Sequence, residues 1–208
     1  MLIQKSLAAL LLVFGLLLPS AAAAIETPDF DVVDTLGETI EVRCYPAMQL
    51  ATTVVEGSQD SVGNKAFRRL AGYIFGDNQA QQKIAMTAPV MQSRMSEQAY
   101  EVAFVMPAAL IEAPEPDSSL VRLEARSLLV AVTTYKGGWS ERRYSEHLAG
   151  LSDTLSGQAE WMPAGEPIWA RYDPPFKPWF LRTNEIMLPV MPADREFNSE
   201  CESPALAG

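Results

Sequence analysis

The chain has 208 residues, 48% hydrophobic and 20% charged, with a formal net charge of −10. Its composition is that of a globular protein, and its length suits one domain with a sizeable core. An acidic chain is repelled by a phosphate backbone, which argues against a nucleic-acid partner. One His and two Cys are too few for a zinc cage, a multi-histidine metal site or a metalloprotease helix.

Residues 1–5 are weakly positive, 6–18 are almost purely apolar, and Pro19-Ser20-Ala21-Ala22-Ala23-Ala24 supplies small residues. This pattern predicts a secretory signal peptide over 1–23, cleaved after about Ala23. Cleavage there removes one cation, Lys5, from the 16 and leaves the 26 carboxylates, for a net charge of −11. No later stretch approaches about 20 apolar residues. The mature chain is therefore expected in the periplasm or outside the cell, without stable membrane insertion. Export allows a disulfide between Cys44 and Cys201, and the sequence leaves that pairing open.

Residues 30–33 read as a strand. In 39–45, Ile40, Val42 and Cys44 alternate with Glu41 and Arg43, which predicts a strand with one face on a core. Pro46 breaks or bulges it, and 48–56 continues as a strand rich in Thr and Val. From Gly57 the period becomes helical. Val62, Ala66, Leu70 and Ile74 recur on one face with Phe67 and Ala71 beside them, and Lys65, Arg68 and Arg69 lie opposite. Ser58 suits the N-cap, its hydroxyl accepting from an orphan amide, and Gly76 suits the stop. Residues 83–91 read as a strand in which Pro89 marks an edge or bulge. Residues 100–106 read as another, and 112–117 as an acidic, proline-rich loop. The second half follows the same plan. Residues 121–126 and 128–135 read as strands, Gly137-Gly138 as a turn, and 140–155 as a helix with Tyr144, Leu148, Leu151 and Leu155 on one face. A strand at 168–172, a rigid aromatic loop at 173–180 and a strand at 184–190 complete the domain, which is assigned to 25–192. Residues 193–208 are polar and acidic and are expected to be disordered.

The halves match in their letters about 80 residues apart. Ala51-Thr52-Thr53-Val54-Val55-Glu56-Gly57 resembles Ala131-Val132-Thr133-Thr134-Tyr135-Lys136-Gly137. Leu70-Ala71-Gly72 resembles Leu148-Ala149-Gly150, and Tyr100-Glu101-Val102 resembles Asn184-Glu185-Ile186. A duplicated strand–helix–strand–strand unit with pseudo-two-fold symmetry would pool its strands into one curved sheet or distorted barrel carrying two helices. The expected fold is α+β, a distorted β-barrel of antiparallel or mixed strands flanked by two helices.

Several motifs together resemble the SOUL haem-binding family over about residues 25–190. They are Ile25-Glu26-Thr27-Pro28, Ile40-Glu41-Val42-Arg43-Cys44-Tyr45, the helix from Ala66 to Gly76, and Lys83-Ile84-Ala85-Met86-Thr87-Ala88-Pro89-Val90. Val105-Met106-Pro107, Ala170-Arg171-Tyr172-Asp173-Pro174-Pro175-Phe176 and Asn184-Glu185-Ile186 complete the set. The resemblance implies a barrel built from this repeat. It also implies binding of haem or a related tetrapyrrole in a hydrophobic depression beside the first helix and the late proline-rich loop. A similar repeat occurs in effector-binding domains of certain transcription regulators, which widens the ligand class to other flat apolar molecules. The family has no universal axial histidine, and the expected export of this chain separates it from cytosolic animal members.

Haem requires apolar walls, cations for its propionates and optionally an axial donor. Candidate cations are Lys65, Arg68 and Arg69 on the first helix, and Lys177 and Arg182 near the late loop. Each reads equally as part of a solvated face. Candidate walls are Phe67, Phe176 and Trp179, with core packing the competing reading for Phe67 and plain exposure on a proline-rich loop the competing reading for Phe176 and Trp179. His147 is the single imidazole and the candidate axial ligand, flanking the apolar stripe of the second helix; its competing reading is a boundary histidine. Cys44 and Tyr45 are chemically able to ligate iron, while the methionines (Met48, Met86, Met91, Met95, Met106, Met162, Met187 and Met191) read mainly as core filler. No nucleophile–His–acid arrangement, glycine-rich phosphate loop or nucleophile elbow is evident. The expectation is an exported protein that sequesters or carries haem non-covalently, without catalysis. The alternatives are a binder of another flat hydrophobic ligand, an enzyme that removes metal from a tetrapyrrole or opens its ring, and a structural role with the depression empty.

Overall fold

The computed structural model describes residues 25–193. The expected signal peptide, the tail beyond Ala193 and the partner in any Cys44–Cys201 pairing lie outside the described residues. The elements in order are β1 (Asp31–Leu36), β2 (Ile40–Glu56), α1 (Gln59–Phe75), β3 (Val90–Ser96), β4 (Ala99–Val105), β5 (Arg122–Lys136), α2 (Glu141–Ser156), β6 (Trp161–Pro163), β7 (Ile168–Arg171) and β8 (Thr183–Pro192). Six strands in the order β2-β4-β3-β7-β8-β5 close into a barrel, because β5 pairs back onto β2. β1 lies outside on β2, and β6 on β8. Every ladder between these strands is antiparallel. The mixed character allowed for in the sequence is confined to one isolated parallel bridge, Glu26 with Thr87.

The repeat is realised as β2-α1-β3-β4 and β5-α2-β7-β8. Gly57 and Gly137, aligned by the repeat, end β2 and β5 with φ of +145° and +141°. L side chains rarely adopt that conformation. A Cβ on Gly57 would stand 2.8 Å from Ser61 Oγ, and one on Gly137 would stand 3.0 Å from Arg143 Nη1. Each glycine lets its chain turn tightly from strand into helix. α1 packs its apolar stripe, Val62, Ala66, Leu70 and Ile74, against Ala51, Val55, Val102 and Phe104. α2 packs Leu151 and Leu155 against Ala131, Ile186, Leu188 and Val190. One helix thus covers β2 and β4, and the other covers β5 and β8.

Three expectations are corrected. Residues 83–89 do not form a strand; β3 begins only at Val90. The backbone groups of that segment are committed elsewhere: Ile84 N–H donates to Ile74 O of α1, Ala88 N–H to Glu26 O, and Thr87 Oγ1 to Val105 O. Pro89 has no N–H to give to a ladder. The pairs of short strands read on either side of Pro46 and Ser127 are single long strands of 17 and 15 residues. Pro46 sits in a bulge, where the β2–β5 register shifts between Tyr45 and Met48. Ser58 does occupy the N-cap of α1, but its hydroxyl donates to Ser61 Oγ and makes no cap bond. Its backbone carbonyl takes the Ser61 and Val62 amides instead. In α2 the hydroxyl of Ser140 accepts from Arg143 N–H in the expected manner.

Strand alternation fills the barrel. Inward residues from all six strands, among them Leu50, Met91, Ala103, Val130, Ile168 and Met187, form one buried cluster. Polar pairs lie within the same lumen. Glu101 of β4 and Glu185 of β8 are the two glutamates that the repeat aligns, and each receives an arginine from the other half. Arg126 Nη1 donates to Glu101 at 2.8 Å, and Arg43 Nη1 donates to Glu185 at 3.0 Å. The Glu185 carboxylate also accepts from Thr134 Oγ1 at 3.0 Å and Tyr172 Oη at 2.5 Å. Arg43 reaches Tyr45 Oη at 3.2 Å and Glu41 at 2.7 Å. Burial opposes the charge on Arg43, but the Tyr45 hydroxyl and the two carboxylates outweigh it and hold the guanidinium charged. Burial, followed by the Glu185 charge, pushes the Tyr172 phenol far above its usual range.

Breaking a buried pair leaves a charge without compensation, at a cost of about 3–5 kcal/mol. The Arg43 and Glu185 side chains are 9% and 7% exposed, whereas Arg126 is 31% exposed. Glu185→Leu is therefore expected to lower the free energy of unfolding by about 3–5 kcal/mol, and Glu101→Leu by clearly less. Urea denaturation of the two variants measures both values.

A candidate ligand depression between helix α1 and the β7–β8 loop

Between the territories of the two helices, part of the outer face of β3 and β7 is uncovered. A depression of about 190 Å³ opens there. α1 contributes Gly63, Asn64 and Phe67, and the irregular segment before β3 contributes Met86, Thr87 and Ala88. Val90, Gln92 and Val102 form the barrel wall, and Arg171 to Pro175 form the opposite rim with Trp139 and Ile25. Phe67 is 38% exposed and meets Phe104 edge-on at 5.4 Å, so one side is anchored and the other faces the depression. Gly63 permits the close approach of α1, since a Cβ there would stand 3.0 Å from Arg171 Nη1.

The walls are mostly apolar, and the polar groups are few and placed. Arg171 lies 4.2 Å from the Trp169 ring and 5.4 Å from the Trp139 ring, and its Nη2 donates to Gln92 Oε1 at 2.7 Å. Gln92 in turn donates to Gln59 O at 3.0 Å. The indole Nε1 of Trp139 is buried and has no acceptor. A buried donor left without a partner costs free energy that a bound acceptor recovers. Tyr172 lines the depression, but its hydroxyl is spent on Glu185 inside the barrel. Asp173 accepts from Lys177 Nζ and from the Thr183 amide, each at 2.6 Å. Partial burial raises its carboxyl, but the Lys177 ammonium and the Thr183 amide outweigh that and hold it below the usual carboxylate range. A larger hollow of about 530 Å³, bounded by Glu26 to Asp29 and residues 105–111, carries two carboxylates and no cation in its lining. It suits an anionic ligand poorly.

The residues singled out in the sequence fall into separate places. Phe67 is in the wall. Lys65 and Arg68 are exposed on α1 outside the lining. Arg69 is turned toward β2, donating to Val54 O at 3.0 Å. Lys177 lies at the root of the late loop on Asp173, and Arg182 braces the same loop through Lys177 O at 2.8 Å. Phe176 and Trp179 project from that loop and do not line the depression. His147 stacks on Tyr135 with centroids 4.0 Å apart, outside the lining. Partial burial and the neighbouring Arg143 lower its pKa. Tyr45 faces the lumen, where it bonds Arg43. The cation that does line the depression is Arg171, which sequence reasoning did not single out although it lies inside the Ala170–Phe176 motif. Its outward position was readable from the alternation of Ile168 and Ala170, inward, with Trp169 and Arg171.

The architecture is thus a closed barrel with two repeat-related helices and a mostly apolar outer depression lined by one arginine. The chain belongs to the SOUL heme-binding protein family, whose model matches residues 25–189. It is 30% identical to human Heme-binding protein 2 over 181 residues, covering 81% of this chain and 88% of that protein. It is 25% identical to Heme-binding protein 1 of Xenopus tropicalis over 190 residues, covering 82% of this chain and all of that protein. Among solved structures, the EcmrR C-terminal domain superposes with a TM-score of 0.54 at 12% identity, covering 73% of this chain and 96% of that one. An uncharacterized conserved protein from Listeria innocua superposes with a TM-score of 0.52 at 13% identity, covering 81% and 94%. At such identities these two structures bear on the fold alone.

Asp173 ties Lys177 to the Thr183 amide, so its charge stabilises the loop that follows the rim. With its folded pKa depressed, that stabilisation is present above the ordinary Asp value, about 3.9, and is lost as pH falls through the folded value. Asp173→Asn is expected to cost about 1.5–3 kcal/mol at pH 7, the range for hydrogen bonds to a charged group. The gap from wild type should close once the pH is well below about 3.9. Urea denaturation at neutral and strongly acid pH measures the difference.

Proposed function

We infer that this protein is an exported tetrapyrrole binder that sequesters or carries its ligand and performs no catalysis on it. The observation that carries the reading is the mostly apolar outer depression lined by Arg171 and Trp139, with the buried Trp139 indole N–H lacking an acceptor, in a chain of this family. Apolar walls suit a porphyrin face, and a propionate carboxylate supplies the acceptor that Trp139 lacks and the counter-charge for a guanidinium. Pockets that enclose a drug-sized ligand run to about 300–1,000 Å³. A depression of about 190 Å³ takes only part of a macrocycle, so the ligand sits with one edge seated and the rest toward solvent. Phe67, Met86, Val90, Pro174 and Pro175 would hold the ring. The Met86 thioether is the soft iron donor nearest to hand in the lining. Bound haem would bring redox-active iron, and the chain's own part is to seat and orient it.

Titrating hemin into the purified protein and recording the Soret band tests the reading. A shifted band saturating at low-micromolar hemin is expected, and an unshifted band contradicts it. Arg171→Glu is expected to weaken binding at least tenfold, about 1.4 kcal/mol, whereas changing Lys65, Arg68 and Arg69 together to Glu has a smaller effect. His147→Ala is expected to leave the band position unchanged. A band stable for hours with reductant and oxygen supports binding without catalysis, and a decaying band favours the enzyme alternative.

A further inference from the structure

The late loop holds a second feature that ligand binding does not use. Phe176 is 87% exposed, Trp179 and Phe180 are each 57% exposed, and Leu181 is 49% exposed. These four side chains stand on one short stretch and form an apolar knob, with the Trp179 and Phe180 rings 5.7 Å apart. The backbone beneath them is braced on all sides. Pro174, Pro175 and Pro178 restrict it, and Trp179–Leu181 forms a single 3-10 turn. Asp173 clamps Lys177 to the Thr183 amide, and the Arg182 guanidinium donates to Lys177 O and Pro175 O. The knob is therefore held outward by structure.

Cations surround it. The Arg143 guanidinium lies 5.9 Å from the Trp179 ring, and Arg182 lies 4.3 Å from the Trp139 ring behind it. Lys136 Nζ reaches Thr183 Oγ1 at 2.5 Å, and Lys177 stands within the loop itself. The loop's one carboxylate, Asp173, is already bonded to Lys177. The nearby Arg142 is balanced by Glu146 at 2.6 Å. With the Lys177–Asp173 and Arg142–Glu146 pairs each cancelling, Lys136, Arg143 and Arg182 remain against Glu141, a local positive excess on a chain whose net charge is −10.

We propose that the Phe176–Leu181 knob seats the protein peripherally on an anionic phospholipid bilayer. Tryptophan and phenylalanine settle at headgroup depth, and each basic residue near an anionic surface adds about 1 kcal/mol of attraction. The charge distribution also selects the orientation, because the rest of an acidic surface is repelled from the same lipids. No helix among the described residues is long and apolar enough to cross a membrane, so attachment by these helices is at the surface. Pro174 and Pro175, at the root of the knob, belong to the rim of the depression. Seating the knob brings that rim to the lipid boundary. The proposal stands independently of whether the depression takes haem.

The test is flotation of a chain beginning at Ile25, which retains every described element and excludes the apolar stretch 6–18. The vesicles contain phosphatidylcholine alone or an equal mixture with phosphatidylglycerol. Wild type is expected to float with the mixed vesicles at low salt, to release as salt rises past physiological strength, and to stay unbound to phosphatidylcholine. Phe176→Ser with Trp179→Ser, and separately Lys136→Glu with Arg143→Glu, are each expected to lower the partition at least tenfold. Circular dichroism confirms that the variants are folded, and Phe176→Ser alone, at a site almost wholly in solvent, gives a second reading if the double variant is not. Absence of flotation at low salt overturns the proposal. So do equal flotation of the variants and equal binding to both vesicle types. Knob-dependent capture of a protein without vesicle binding overturns it in favour of a protein partner.

Discussion

Arg43 and Glu185 meet inside the barrel, and keeping that pair satisfied constrains the rest of the lumen. A buried charge is tolerated only where every remaining donor and acceptor is occupied. Tyr45, Thr134, Tyr172 and Glu41 fill those positions. The remainder of the lumen is packed with Leu50, Met91, Val130, Ile168 and Met187. A barrel filled in this way has no interior room for a macrocycle. The proposed ligand seat is therefore on the outer wall, where the two helices leave room for it. They cover β2 with β4 and β5 with β8, and part of the β3–β7 face is left between them.

Tyr172 links the two regions. Its ring faces the depression while its hydroxyl ends on Glu185 in the lumen. The rim of the site is thereby fixed to the most tightly satisfied part of the core. Asp173 continues the same connection into the loop by holding Lys177 and the Thr183 amide. One stretch of chain, from Arg171 to Thr183, thus supplies the cation of the depression, its proline wall and the aromatic knob beyond it.

Much of the fold was legible in the letters because duplication leaves paired signals. Gly57 and Gly137 require the same positive φ, Glu101 and Glu185 receive arginines from opposite halves, and both helices carry a regular apolar stripe. Residues 83–89 were misread because their apolar composition resembles a strand, while the hydrogen bonds that hold them go to Ile74, Glu26 and Val105, far away in sequence or across a turn. The site was less legible. Lys65 and Arg69 resemble propionate partners on a helical wheel, but the side of α1 that meets the depression is set by Gly63, Asn64 and Phe67. Trp139 and Arg171 come together only through closure of the barrel, which no local period encodes. For Phe176 and Trp179 the letters left exposure and a place in the pocket wall equally open, and the bracing of the loop by Arg182 helps to hold them outward.

A tetrapyrrole seated in the outer depression, outside the barrel, would lie beside a defined set of backbone amides. Paramagnetic broadening of backbone amides by added hemin, followed by NMR, reads its position directly. Gly63, Asn64, Phe67, Ala88, Val90 and Tyr172 are expected to broaden first, while amides of α2 around His147 and Leu151 stay sharp. Broadening centred on His147, or on the lumen strands around Leu50 and Val130, would contradict this placement.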